Sequence, residues 1–380
     1  MNNRSHVLDL SGLDGSNPLG FLAALGTVVV LSESDPAVLL GWKRTARWIP
    51  FLQSCRSLDK SSVASILAEK LRGKPVGSAN DGKRARSQIR FDATKKKLKD
   101  ARAQLKALRL RGKERQKEHG RIVAPLEQKL EQRRSVFLER LRAAVPSPEL
   151  AIGQRPDCTI EEFRGHAAAF LDTTQPTSRT AIDLLAAFGT ETGGDADERI
   201  KSTPFCFITG SGHQWFLDTV RQLVAQASPG KVREALFDPW TYGDEKLTMR
   251  WDPVDDRRYA LLDRDPTASN NKSRTVWMAN LLAYRALVFY PCVSVGAQRN
   301  AAGWTSRGQS EAFTWPIWES PLAADTIRSL LCHPAFGEAD LTHIRYELRA
   351  RGVATLFRSR RVQVGKPPLH KINFGPAQSV

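Results

Sequence analysis

The stretch DLSGLDGSNPLGFLAALG, Asp9–Gly26, decides how the rest of the chain is read. A short apolar segment, His6 to Leu10, runs into a cluster of Gly, Asp and Asn and then into an apolar run that opens at Pro18. Glycines between a strand and a helix suggest a phosphate loop, but neither chemical pattern is present. A Walker A loop needs GxxxxGK[ST], because its Lys and hydroxyl meet the phosphates and Mg²⁺, and no such pair follows Gly12, Gly15 or Gly20. The spacing GxGxxG is absent too, as it is at Gly189, Gly193 and Gly194. The run from Pro18 to Leu31 is shorter than the roughly 20 residues of a membrane span and lacks a basic leader. The remaining reading is a strand, a turn and a helix with Pro18 in its first turn and Asn17 or Ser16 as its cap.

Charge sets the rest of the chain apart from an ordinary globular protein. The 380 residues carry 57 Lys and Arg against 40 Asp and Glu, a net +17, while an apolar fraction of 41% with nine Trp indicates a folded core. Two segments hold the excess. Arg90 to Arg142 has 18 basic and 7 acidic residues, and Arg345 to Lys371 has 8 against 1. A polyanion, nucleic acid before an acidic membrane surface, is the partner this pattern predicts.

The first block, residues 1–75, reads as the N-terminal part of an α/β core, with a helix across Ser57 to Leu71 and a loop from Gly73 to Gly82. Residues 90–145 read as an inserted basic helical hairpin. Its apolar stripe runs through Leu98, Leu105 and Leu108, then Ile122, Leu126, Leu130, Phe137 and Leu141, with Gly112 and Gly120 bracketing the reversal. Lys95, Lys96, Lys97, Lys99, Arg102, Lys106 and Arg109 then project outward with almost one sign of charge. Residues 150–345 read as the rest of the core, with helices at Ile160 to Leu171 and Ile182 to Phe188 and a buried strand at Phe205 to Ile208. The alternation of Leu247, Met249 and Trp251 suggests further β structure, and residues 346–380 form a basic strand and tail. The expected class is therefore α+β or a mixed α/β core carrying the hairpin.

Catalytic patterns are weak. Ser211 and His213 sit two residues apart, a spacing that rarely gives facing geometry, and GxSxG is not matched. Asp252, Asp255, Asp256, Asp263 and Asp265 resemble a two-metal carboxylate set, yet Arg257, Arg258 and Arg264 lie among them and Asp before Pro caps turns. Cys332, His333 and His343 lack a fourth zinc ligand at standard spacing. The five cysteines show no CxxC, which fits a reducing cytoplasm. No catalytic residue, metal or cofactor is expected. What remains is binding. Asn270, Asn271, Lys272 and Arg274 in a polar loop, Arg299 and Arg307, and Arg358, Arg360, Arg361 and Lys366 near the end join the hairpin as candidate nucleic-acid contacts.

Several stretches in succession carry a resemblance: LSGLDGSNPLGFLAALG followed by ESDP and LLGW, then TGSGHQWFLDTV, FDPW, RWDPVDDRRYALLDRDP, MANLLAYRALVFYP and TWPIWESPL. Together they resemble CRISPR-associated proteins of type I-U (I-G) systems, in particular a large-subunit-like or accessory subunit of the Cascade complex. The resemblance spans residues 7–71 and about 205–322 and leaves out the hairpin and the tail. It implies a non-catalytic subunit that works with guide RNA, target DNA, other effector subunits and a helicase-nuclease. Such a subunit reads a short flanking motif and holds the displaced strand. The chain is small for a large subunit, so an accessory role stays open. The alternatives are a metal-dependent nuclease and an RNA-binding scaffold outside CRISPR.

Overall fold

The quoted stretch folds as β1 (His6–Asp9), a turn, and α1 (Pro18–Ser32). The computed structural model describes residues 5–72, 78–145, 147–171, 179–191, 198–210, 214–253, 273–296, 298–307, 310–364 and 371–380. Every residue of α1 from Pro18 to Leu31 is buried, as expected of a helix that is apolar all round. Thr27 to Leu31 continues this helix. Asn17 caps it, its side-chain oxygen accepting from Leu19 N at 2.8 Å and Gly20 N at 3.3 Å.

The chain divides into two compact units, residues 1–72 with 147–380, and residues 73–146. In the larger unit β2 (Leu39–Arg44), β3 (Trp48–Ser54) and α2 (Lys60–Arg72) follow α1. The smaller unit consists of α3 (Ser78–Ala107), α4 (Gly112–Ile122) and α5 (Ala124–Ala144). The larger unit resumes with α6 (Ile160–Leu171), α7 (Arg179–Phe188), the short pair β4 (Gly189–Thr190) and β5 (Lys201–Ser202), α8 (Phe216–Gln226) and α9 (Pro229–Phe237). Next come β6 (Asp244–Glu245), β7 (Arg274–Thr275) and α10 (Trp277–Arg285), then β8 (Cys292–Val295), β9 (Gln298–Ala301), β10 (Trp304–Arg307), β11 (Ser310–Trp318) and β12 (Leu322–Ala323). The chain ends with α11 (Ala324–Leu331), α12 (Arg345–Ala350), β13 (Val353–Val364), β14 (Lys371–Phe374) and β15 (Gln378–Ser379).

All strand pairings among the described residues are antiparallel, so the fold is α+β. One sheet has the order β1-β3-β2-β12, and a second has β10-β11-β13-β14 with β15 also on β13. Tryptophans fasten both sheets around the start of α1. Trp315 Nε1 donates to Gly15 O at 2.8 Å and Trp318 Nε1 to Leu40 O at 2.8 Å, while Phe21 packs against Trp42, Trp315 and Trp318. Two glycines of the opening stretch are there for close approach. A Cβ on Gly15 would stand 2.7 Å from the Trp42 ring, and one on Gly26 would stand 1.7 Å from Leu282 O on α10.

Two expected strands are not strands. Phe205 to Ile208 is buried but irregular, because the run is apolar for a different reason: Phe205 alone packs against Trp251, Tyr290, Trp304 and Phe313. Burial makes such a run apolar whatever its backbone does. Leu247, Met249 and Trp251 are not in a strand either, since Lys246, Leu247 and Arg250 have φ of 61°, 48° and 63° and break any ladder. The expected loop at Gly73 to Gly82 is shorter than read, with α3 already begun at Ser78. Ser, Asn and Asp favour helix N-termini as well as turns, so the composition does not separate the two. Tyr259 to Leu262 lies outside the described residues.

A buried ion pair ties α8 to the segment around Leu150 in this unit. Asp218 and Arg221 on α8 meet at 2.9 Å, and Arg221 also donates to the carbonyls of Leu150 and, at 3.0 Å, Gly153. Burial pushes the nearby Glu149 carboxyl above its ordinary 4.5, offset only in part by its own backbone N–H and by Arg285 and Arg221. The folded state therefore holds this proton more tightly than the unfolded chain, and stability falls as pH rises from about 4.5 through the raised folded value. Glu149→Gln should flatten that decline in thermal midpoints measured across the range, and an unaltered slope would contradict it. Gly26→Ala should destabilise the protein by about 3 kcal/mol, because α1 and α10 must part to admit one methyl. A urea midpoint equal to wild type would contradict the close packing.

Candidate nucleic-acid interface

In the smaller unit, three cross-helix pairs show that α3 and α5 run antiparallel: Phe91 stacks on Phe137, Arg133 bonds to Thr94, and Arg102 meets Glu127 at 2.7 Å. The seam is narrow. Leu98, Ala101, Leu105 and Val123 are buried together, with Ile122, Leu126 and Leu130 against them. Seven of the eight residues of the expected stripe lie on it or beside it, buried or half-buried. Leu108 is 46% exposed because it stands just past the end of α3. The reversal also falls earlier than the glycines suggest. Arg109 and Gly112 have φ of 51° and 54°, whereas Gly120 lies inside α4, so the unit has three helices in place of two. An Arg in the left-handed region leaves no sequence signal, and Pro125 stands in the first turn of α5, where its missing N–H costs nothing.

So narrow a seam leaves most of each helix surface to charge. Lys95, Lys96, Lys97, Lys99, Arg102, Lys106 and Arg109 are all exposed. Arg102, Lys106, Arg109, Arg111, Arg115 and His119 line one groove of about 630 Å³ beside the reversal, where Glu127 is the single carboxylate among the described lining residues. The lysine ammonium and arginine guanidinium groups there suit phosphate oxygens, which accept charge-assisted hydrogen bonds.

The candidates in the larger unit are placed differently. Arg299 is 16% exposed and donates to Glu311 at 2.7 Å and to Ser202 O. Arg358 donates to Thr314 Oγ1 at 2.8 Å and to the carbonyls of Ala339 and Glu338, and burial lowers its pKa. Arg361 pairs with Glu311 and lies 5.4 Å over the Phe207 ring. Arg274 pairs with Glu245 at 3.0 Å and bonds to Gly243 O. These four guanidiniums fasten strands and turns to one another. Arg360 is exposed on β13. Arg307 ends β10, and Asn270, Asn271, Lys272 and Lys366 lie outside the described residues.

The residues weighed for catalysis have structural partners where they are described. Asp252 is fully buried and accepts from Asn17 Nδ2 at 3.0 Å and from Tyr242 OH at 3.0 Å. The same Asn17 that caps α1 thus ties the opening turn to Asp252. Asp255, Asp256, Asp263, Asp265, Ser211 and His213 lie outside the described residues. His333 and His343 face Glu347 at 3.8 Å and Glu338 at 3.4 Å, while Cys332 is exposed. Burial pushes the Cys158 and Cys292 thiols up to about 11 and Cys206 up to about 12, which keeps all three protonated near neutrality. No helix among the described residues is long and apolar enough to cross a membrane.

In the opening turn both loop glycines are spent on the fold: Gly12 N donates to Leu236 O and Gly15 N to Trp48 O, as Leu10 N does to Pro50 O, at 2.7–2.8 Å. No protein-family model matches the chain, and no curated protein matches it. Sequence reasoning passed over Lys83, Arg86, Arg90, Arg133 and Arg140. Their helical spacing was visible, but the start of α3 and the pairing of α3 with α5 were needed to see them meet. Asp252→Ala should cost about 1–3 kcal/mol, because Asn17 and Tyr242 lose a buried acceptor. A thermal midpoint unchanged from wild type would contradict a structural role for this carboxylate.

Proposed function

We propose that this protein is a non-catalytic nucleic-acid-binding protein whose inserted helical unit carries the phosphate contacts. The single observation behind this reading is the dense, exposed and nearly one-signed charge of α3 and of the groove at its end. A helix pair stabilised only by solvation mixes signs across its outer faces. Each phosphate neutralised by Lys or Arg releases counterions, so such a surface binds through an entropic gain that salt erodes. The guanidiniums of Arg274, Arg299, Arg358 and Arg361 in the larger unit are engaged with its own carboxylates and carbonyls, which favours a scaffold role for that part of the chain.

Within this reading, the chain serves an RNA-guided surveillance complex as a large-subunit-like component. It contacts duplex DNA beside the target, steadies the displaced strand and docks a helicase-nuclease. This narrower assignment rests on the succession of sequence stretches from Val7 to Leu71 and from Phe205 to Leu322.

Charge reversal of Lys95, Lys96, Lys97 and Lys99 should weaken DNA binding and make the dependence of log K on log salt shallower by about 0.9 for each phosphate that is no longer neutralised. Unchanged affinity and slope, measured by fluorescence anisotropy, would remove the hairpin from the interface. RNA recovered with the tagged protein from its own cells should be a single repeat-derived guide. Recovery of ribosomal RNA would support a scaffold outside CRISPR instead.

A further inference from the structure

Two flanks of the α3–α5 seam differ in how they treat charge. On one flank Arg102 has Glu127 across from it at 2.7 Å. On the other, Lys83, Arg86 and Arg90 of α3 and Arg133 and Arg140 of α5 line a cleft of about 540 Å³, completed by Ser87, Gln132 and Val136. Among the described residues, no carboxylate lines it. The spacings i, i+3, i+7 on α3 and i, i+7 on α5 put each set on one helix face, and antiparallel packing brings the two faces together.

Five cations drawn into one cleft repel one another, a cost that a Glu among them would have reduced, as Glu127 does beside Arg102. One of them is held in place. Arg133 donates to Arg90 O at 3.0 Å and to Thr94 Oγ1, which anchors its guanidinium beside the α3 row. Val136, 47% exposed, leaves the wall between Arg133 and Arg140 low. Lys83 to Arg90 and Arg133 to Arg140 each rise about 10 Å along their helices. That matches about three nucleotides of one duplex strand at 3.4 Å of axis each.

We infer that this cleft is a second, separate binding site, which grips the phosphodiester backbone of a nucleic-acid duplex without reading its bases. The inference rests on the nucleic-acid reading above but concerns other residues than Lys95 to Lys99 and the groove at the reversal. Arginines paired across a cleft suit bidentate contact to phosphate oxygens. Among the described residues none of the lining is aromatic, so the cleft offers no aromatic ring for an unpaired base to stack on, and phosphate contact is what its cations, in rows of about 10 Å, suit best. The ligand proposed is the backbone of a paired duplex, whose axial rise the two rows match.

The test is fluorescence anisotropy of the full chain with a labelled 25-base-pair duplex and the matching single strand at several salt concentrations. The triple variant Arg86→Gln, Arg90→Gln, Arg140→Gln keeps good helix formers and removes three charges. It should bind the duplex at least about tenfold more weakly, with a salt slope shallower by about 2–3, and lose less on the single strand. The companion Arg86→Lys, Arg90→Lys, Arg140→Lys should retain most of the affinity, and circular dichroism should show wild-type helix content in both. Wild-type-like duplex binding by the glutamine variant would overturn the cleft while leaving the proposed function standing. Absence of nucleic-acid binding by the wild-type chain would remove that function itself. An equal loss on single strand and duplex, or equal loss in the lysine variant, would overturn the duplex-backbone assignment.

Discussion

The meeting of α1 with α10 at Gly26, where one backbone lies directly on another, is the constraint on which the larger unit depends. A helix buried from Pro18 to Leu31 has no solvent face to spend on a ligand, and its position fixes the elements packed around it. Trp42, Trp315 and Trp318 close over its first turns, and Asn17 ties its capped end to Asp252. With the turn's N–H groups bonded to Pro50, Leu236 and Trp48, this part of the molecule is committed to holding its own shape.

The smaller unit follows the opposite physical logic. Its apolar seam is a few residues wide, enough to join α3 and α5, and the remaining helix surface carries charge. Salt bridges such as Arg121 with Glu118 and Arg134 with Glu131 moderate that charge in places. The cleft lined by Arg86, Arg90 and Arg140 has no such moderation among the described residues. Uncompensated like charge costs stability in the free protein, and an anion bound there would relieve it.

Much of the architecture was legible in the sequence because local rules and tertiary packing agree. Pro18 after Asn17 marked the start of α1, and leucines at helical spacing marked the seam of the hairpin. Legibility failed where burial and backbone conformation diverge. Phe205 to Ile208 is apolar without being a strand, and positive φ at Lys246, Leu247 and Arg250 overrode an alternating pattern. The proposed interface was half legible. The lysine-rich row of α3 stands out in one dimension, whereas Arg90 and Arg133 become neighbours only through antiparallel pairing of segments about forty residues apart. Arg299, Arg358 and Arg361 show the converse: composition marks them as cationic, and only packing reveals the carboxylate and carbonyl oxygens that engage them.

On the proposed reading the larger unit supplies shape and the inserted helices hold the nucleic acid. Hydrogen exchange of the full chain, with and without a bound duplex, tests this most directly. The account predicts that protection gained on binding concentrates between Lys83 and Arg140. Protection confined to residues 147–380, with the helical insertion unchanged, would contradict it.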